Sequence, residues 1–217
     1  MRTKAIILKK QNTNEYDQLI TCYTEEFGKL TAVAKSVLKP SSIQAMHLDI
    51  FNLVDFELIN GRGMPIIVGA QAEAVHSNLK SNLPCLAVAY FFAEVIDKVA
   101  FDYQKDGEIW NFLISLLDKL NYNSVQSRYL RDKQVEFLNI LGYAPNLGEC
   151  AFCGKGELMA YSVQARGGVC RDCFLGGNEG IVTKNNDFLS EPVLNSIFES
   201  LAERKLNSLN LLKSMIE

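Results

Sequence analysis

Two C-x-x-C pairs are the sequence feature that most constrains how this chain can fold. Sixteen residues separate the pairs, which are Cys150/Cys153 and Cys170/Cys173. A C-x-x-C turn lets two thiolates reach one metal ion, and two such turns complete a tetrahedral site with Zn–S bonds of about 2.3 Å. Glycines beside both pairs supply the backbone freedom that such turns need, namely Gly154, Gly167 and Gly168.

This spacing predicts one structural zinc ion, bound by the four cysteines in a module at about residues 148–176. Four protein ligands leave no coordination position for water, which disfavours a catalytic zinc. The alternative is a set of buried or redox-active cysteines that share the spacing by coincidence. The remaining two, Cys22 and Cys85, are expected to be small buried side chains.

The apolar segments are too short for a membrane protein. The longest uninterrupted run is Cys85–Ala93, about half of what a membrane span needs. Near the start, only Ala5–Leu8 is apolar before Lys9, which is too short for a signal peptide. We therefore expect a cytoplasmic protein, and in that reducing compartment paired cysteines favour a metal over disulfides.

The first seventy or so residues have the pattern of short strands separated by turns. Alternation is clearest in the fourth segment, where Val54, Phe56 and Leu58 share one side. The predicted strands are 4–10, 19–24, 30–35, 49–59 and 64–71. Five antiparallel strands in so short a stretch favour a closed barrel, because closure removes exposed sheet edges.

The rest of the chain has helical periodicity. The first predicted helix runs from near Pro84 to Ala100 and is apolar on both sides, so it should be buried. Further helices are predicted at 107–120, at 124–141 and from Ser190 to the end with a break near Asn207. The fold class is therefore α+β, with a barrel domain at residues 1–78 and a helical domain at residues 79–217 that contains the zinc module.

Positive charge is concentrated in the first forty residues. They carry seven basic and four acidic side chains, whereas the whole chain has 22 Lys and Arg against 25 Asp and Glu. Basic and aromatic residues together are typical of barrels that bind single-stranded nucleic acid. The aromatic residues are Tyr16, Tyr23 and Phe27, and we expect Phe27 to be the most exposed of them. The candidate DNA-binding cations are Arg2, Lys4, Lys9, Lys10, Lys35 and Lys39. The alternative is an ordinary solvated surface.

No catalytic motif occurs in the sequence. Nucleophile-elbow, phosphate-loop and zinc-protease patterns are missing, and neither His47 nor His76 accompanies a nucleophile motif. We therefore expect no enzymatic activity and no small-molecule substrate.

The sequence resembles the RecO family of bacterial recombination mediators along nearly its whole length. The N-terminal resemblance lies in Asp17, Gly28-Lys29 and Ala34-Lys35, and the later one in Leu141-Gly142, Pro145, Leu147 and the four cysteines. Where the family commonly continues the Ala-Lys pair with a glycine and a basic run, this chain has Ser36, Val37 and Leu38, followed by Lys39.

The resemblance implies an OB-fold barrel followed by a helical domain with a zinc module. It also implies a nucleoid-associated protein of DNA repair, recombination and the DNA-damage response that binds single-stranded and duplex DNA and anneals complementary strands. The partners it implies are RecR, RecA and single-strand binding protein. A different class of function stays open, namely a zinc-containing adaptor that docks proteins and has little direct contact with DNA.

Overall fold

The computed structural model describes residues 1–61, 63–122, 127–183 and 187–216. The chain forms two compact units: Met1–Val125 with Asn210–Glu217, and Gln126–Leu209. The domain boundary expected between residues 78 and 79 stays a prediction. Within the described residues, no helix is both long and apolar enough to cross a membrane.

The first unit begins with a closed five-stranded barrel. Its strands are β1 (Arg2–Asn12), β2 (Gln18–Thr24), β3 (Gly28–Ala34), β4 (Leu53–Ile59) and β5 (Ile66–Ala74), in the order β1-β2-β3-β5-β4. The predicted barrel is confirmed, but the prediction that every pair is antiparallel was wrong. β3 and β5 are parallel, with Val33 opposite Ile66 and Ala34 opposite Ile67. A ring with an odd number of strands cannot alternate in direction throughout, so one pair must be parallel.

Alternating side chains fill the interior of the barrel. Ile7, Ile20, Leu30, Phe56 and Leu58 are among its buried apolar residues, and Cys22 is buried with them as expected. Phe27, expected to be the most exposed aromatic, instead packs partly buried against this core. Its backbone N–H donates to Thr24 Oγ1 over 3.0 Å in the tight β2–β3 turn, which brings its ring back toward the barrel.

Three helices follow the barrel in the first unit: α1 (Ser77–Ser81), α2 (Leu83–Val99) and α3 (Gly107–Tyr122). The start of α2 is fixed by the Asn82 side chain, which accepts a hydrogen bond from the Cys85 backbone, and by Pro84 in the first turn. Residues on both sides of α2 are buried, including Val88, Phe92 and Ile96. The predicted central helix is confirmed.

Residues 100–106, which we call the strap, connect α2 to α3 and run along the barrel. The Tyr103 backbone N–H donates to the Lys29 carbonyl over 2.8 Å, next to a parallel bridge between Lys29 and Asp102. Gly28 has a left-handed φ of 67°, and a Cβ there would lie 2.0 Å from the Gln104 carbonyl oxygen. The close approach of the strap to β3 therefore requires glycine at this position.

Seven further elements follow α3 along the described part of the chain. They are α4 (Ser127–Ile140), β6 (Leu158–Ser162), β7 (Gly167–Cys170), α5 (Arg171–Leu175), β8 (Ile181–Val182), α6 (Glu191–Leu201) and α7 (Ser208–Ile216). The predicted start of the third long helix, Ser124, lies outside the described residues. The predicted break near Asn207 is confirmed, since residues 202–207 separate α6 from α7.

Candidate zinc site and nucleic-acid interface

The four predicted ligands lie together in the second unit. The Sγ atoms of Cys150, Cys153, Cys170 and Cys173 are all within 4.8 Å of one another. The Cys153 and Cys170 sulfurs are 3.5 Å apart, well beyond the roughly 2.05 Å of a disulfide. A tetrahedron with Zn–S bonds of about 2.3 Å has sulfurs about 3.8 Å apart, so the cluster matches the size of a four-thiolate metal site.

Two backbone turns bring the sulfurs together. In the first turn, the Gly154 N–H donates to the Cys150 carbonyl over 2.9 Å, with Gly154 in a left-handed conformation (φ 75°). In the second, Cys170 ends β7, and Cys173 lies within α5. The Ala151 N–H joins the two turns by donating to the Gly168 carbonyl over 2.9 Å. Backbone hydrogen bonds therefore help to fix the geometry of the two turns, in addition to any bound ion.

The electrostatics of the cluster differ from one sulfur to the next. Burial raises the pKa of Cys150, but backbone N–H groups of Cys170, Phe152 and Cys153 outweigh it and lower that pKa to about 6. The hydrogen bond with the Cys153 sulfur, together with burial, raises the pKa of Cys173 to about 12. Four neighbouring thiolates repel one another, so a divalent cation is needed to stabilise them together. An all-sulfur donor set of this size fits zinc.

Three of the six candidate DNA-binding cations are engaged with carboxylates. The Arg2 guanidinium contacts Asp55, and the Lys4 ammonium lies 2.8 Å from Glu73. Lys10 Nζ donates to Asp49 Oδ1 over 2.7 Å, and Lys80 Nζ donates to the other oxygen of the same carboxylate over 3.0 Å. The positive charge of these three cations is therefore partly neutralised within the protein.

The other three cations, Lys9, Lys35 and Lys39, make no ion pair among the residues that the structure describes. Lys39 Nζ lies 5.1 Å from the ring centre of Tyr16, a cation–π contact. Tyr16 is 48% exposed and lies in the loop between β1 and β2. We call the group of Tyr16, Lys35 and Lys39 the rim.

Two hydrogen bonds join the two loops that carry the rim. The Leu38 N–H donates to the Tyr16 carbonyl over 3.0 Å, and the Ser36 N–H donates to Asp17 Oδ1 over 2.6 Å. Ser36 has a left-handed φ of 57°. The hydrogen bonds from Ser36 and then from the Asn14 side chain lower the pKa of Asp17. Asp17 thus fixes both loops, a role that sequence reasoning missed although Asn14 and Asp17 are typical turn residues.

Strand register shows which cations lie near one another. Asn12 of β1 is opposite Gln18 of β2, which is opposite Ala34 of β3. The loops that carry the rim residues therefore begin at the same end of the barrel. Lys9 lies three residues before the end of β1, about 10 Å along the strand. Arg2 and Lys4 lie at the opposite end of β1. The six candidates therefore do not form one surface.

Comparison with known proteins identifies the family of this chain. The family model "Recombination protein O N terminal" matches residues 1–77, and "Recombination protein O C terminal" matches residues 81–207. A DNA repair protein RecO from Caldanaerobacter subterraneus subsp. tengcongensis is 30% identical over 196 residues, which are 89% of this chain and 77% of the relative. One from Thermoanaerobacter sp. is 29% identical over 177 residues, 80% of this chain and 71% of the relative. One from Dehalococcoides mccartyi is 28% identical over 176 residues, 79% and 69% of the two chains. With its OB-fold barrel, its helices and its four-cysteine cluster, this chain belongs to the RecO family of DNA repair and recombination proteins.

Proposed function

We propose that this protein is a non-enzymatic recombination mediator that acts at the nucleoid. It binds single-stranded DNA, and also duplex DNA, and anneals complementary strands. Together with RecR it helps RecA to replace single-strand binding protein on DNA. Residues 1–78 serve as the DNA-binding domain and residues 79–217 as the helical domain. No covalent bond is made or broken in this activity.

The observation that carries this proposal is the rim. In OB folds, the loop between the first two strands is one of the segments that contact oligonucleotides. Here that loop carries the exposed ring of Tyr16, on which a base can stack, with the Lys39 ammonium beside it. Lys35 and Lys9 extend the positive charge along the barrel, whereas Arg2, Lys4 and Lys10 contribute less because carboxylates contact them.

We further propose that Cys150, Cys153, Cys170 and Cys173 bind one structural zinc ion per chain. The size of the sulfur cluster and its all-thiolate donors support this metal. The ion would hold together two turns that are separated by only sixteen residues and have no large apolar core of their own. Four protein ligands leave no position for a substrate.

A salt titration of single-stranded DNA binding tests the rim. Each phosphate contact contributes about −0.7 to the slope of log K against log salt concentration. We expect the Lys35→Glu/Lys39→Glu variant to bind labelled oligonucleotide more weakly than the parent, with a shallower slope and an unchanged melting temperature. The effect should be independent of DNA sequence, because phosphate contacts do not read bases. Arg204→Glu/Lys205→Glu is the matched control, since it makes the same change in charge at exposed residues of the second unit.

The ion pairs of Arg2, Lys4 and Lys10 favour a second candidate, the zinc-containing adaptor with little direct DNA binding. A slope near zero, or no binding at low salt, would support the adaptor and contradict the mediator. Repeating the titration with RecR present distinguishes a weak binder that depends on its partner from a protein that does not contact DNA. Equal binding by the rim variant and the parent would place the DNA-binding surface elsewhere.

A further inference from the structure

The strap exposes two large aromatic side chains. Phe101 is 75% exposed and Tyr103 is 61% exposed. A single exposed apolar residue is normal, but here one short connection exposes two aromatic rings that lie two residues apart in the sequence. Tyr103 also has a left-handed φ of 59°, an unfavourable conformation for an aromatic residue that persists only where surrounding contacts enforce it.

Several hydrogen bonds hold the strap to the barrel and to the neighbouring helices. Besides the Tyr103–Lys29 backbone bond, Lys29 Nζ donates to the Asp97 carbonyl over 2.8 Å. The Tyr23 hydroxyl donates to the Asp106 carbonyl over 3.2 Å. The Asp106 side chain then accepts from the backbone of Glu108 and Ile109 at the start of α3. The two rings are therefore presented on a fixed backbone, which reduces the entropy lost when something binds them.

The surroundings of the rings are acidic. Residues 94–108 contain five acidic and two basic side chains, a balance of −3 that equals the net charge of the whole chain. Two residues of the barrel form ion pairs with this segment, Glu26 with Lys105 and Lys29 with Asp102. Lys29 is almost fully covered, whereas the Asp102 carboxylate paired with it is 64% exposed. Solvent at the strap therefore meets mainly negative charge and two aromatic rings.

The acidic side chains and the two exposed aromatic rings together indicate which chemical class of ligand the strap can bind. Phosphates are repelled by the carboxylates, which disfavours nucleic acid. Guanidinium and ammonium groups are attracted both by carboxylates and by the negative faces of aromatic rings. The rings lie on an exposed connection and not in a cleft of the kind that binds small molecules. We propose that the strap is a docking surface for a basic segment of a partner protein, with arginine or lysine side chains over Phe101 and Tyr103.

A fluorescence anisotropy titration tests the proposal on the full chain. The probe is a labelled twelve-residue peptide of alternating arginine and glycine, at low salt, with a peptide of alternating glutamate and glycine as its control. We expect the parent to bind only the arginine peptide and Phe101→Ala/Tyr103→Ala to bind it at least tenfold more weakly. Ile43→Ala/Met46→Ala is the matched control, because it removes two exposed apolar side chains elsewhere in the same unit and should leave binding unchanged.

A second variant distinguishes the loss of a binding contact from a folding defect at the strap. Asp102→Asn leaves both rings in place and should weaken peptide binding severalfold while reducing its dependence on salt. No binding of the arginine peptide by the parent would overturn the proposal, as would equal binding by the parent and the double-alanine variant. If removing the rings weakened single-stranded DNA binding and left peptide binding intact, the strap would be a nucleic-acid contact and the proposal would be wrong. These outcomes do not depend on whether the rim binds DNA.

Discussion

At the scale of single residues, partner carboxylates decide which cations of the first forty residues are available for binding. Lys10 and Lys39 both look like solvated lysines in the sequence, yet Lys10 contacts Asp49 and Lys39 lies over Tyr16. Sequence reasoning located the positive region but could not distinguish these two environments. The partner of Lys10 is 39 residues away, and no local pattern encodes that contact.

The Asp49 ion pairs predict a pH dependence of stability. Burial raises the pKa of Asp49, but the Lys10 and Lys80 ammonium groups outweigh it and lower the pKa to about 2. Since this lies below the unfolded value of about 3.9, the stabilisation is complete above about pH 5 and is lost as the pH falls toward 2. Because Asp49 is partly exposed, we expect Asp49→Asn to lower the free energy of unfolding by only about 1 kcal/mol at pH 7.

Urea denaturation at pH 7, 5 and 3 measures this effect. The difference between the parent and Asp49→Asn should shrink as the pH falls. Asp132→Asn is a suitable control, because that carboxylate is well exposed and lies 3.9 Å from Arg128, so its removal should change stability much less. A difference that stayed constant from pH 7 to pH 3 would mean that the Asp49 charge does not stabilise the fold.

Asp17 allows a test that separates positioning from charge. Removing its negative charge near the rim should strengthen DNA binding if only charge mattered. Because Asp17 also holds the Ser36 turn, we expect Asp17→Ala to weaken single-stranded DNA binding instead, by about 1 kcal/mol or roughly fivefold. Asp17→Asn keeps an acceptor for the Ser36 N–H and should restore binding. Tighter binding by Asp17→Ala would show that the hydrogen bond does not organise the rim.

At the scale of secondary-structure elements, long periodic segments were predictable and short ones were not. The strands were placed from short apolar runs between turns, with clear alternation in β4, and α2 and α3 were placed from their helical period; β4 begins at Leu53, four residues after the predicted start. By contrast, β6, β7 and α5 have five residues or fewer, too few to show a period. The spacing of the cysteines therefore predicted that the four sulfurs lie together, but not the small sheet whose strand β7 ends at Cys170. Burial of Phe27 was missed because it depends on how the β2–β3 turn folds back.

Helix α2 offers a direct test of the buried helical core. Phe92 is fully buried and makes edge-to-face contacts with Phe91 and Phe112 at ring-centre distances of 5.0 and 5.1 Å. We expect Phe92→Ala to cost about 3–5 kcal/mol of unfolding free energy, measured by urea denaturation. Leu83→Ala is the control in the same helix, since Leu83 is exposed and its truncation should cost far less. A loss below about 1 kcal/mol for Phe92→Ala would show that the helix is not enclosed.

At the scale of the whole molecule, the barrel and the cysteine cluster belong to different compact units. The apolar core of the barrel is built entirely from residues of the first unit. The proposed zinc therefore stabilises a local segment, and its loss should leave the barrel folded.

Metal removal tests this local role. Metal analysis should find one zinc per chain in the reduced parent and less in Cys153→Ser. Chelation should increase hydrogen exchange at residues 146–182 while the barrel strands keep their protection. Cys85→Ala is the matched control: that cysteine is buried in α2, outside the cluster, and the variant should retain its zinc. Absence of zinc from the parent, or loss of barrel protection on chelation, would contradict the expectation.

The contact between the strap and β3 forms only late during synthesis on the ribosome. β5 pairs with only the last two residues of β3, and the strap contacts β3 near its start, at Lys29. The ribosome makes Tyr103 more than seventy residues after Lys29, an interval of about 4–15 s at about 5–20 residues per second. During that interval part of the β3 edge has unpaired backbone N–H and C=O groups, with which another chain can pair. A fragment that stops near residue 78 keeps this edge permanently open, so a soluble barrel for DNA-binding work should extend through residue 106.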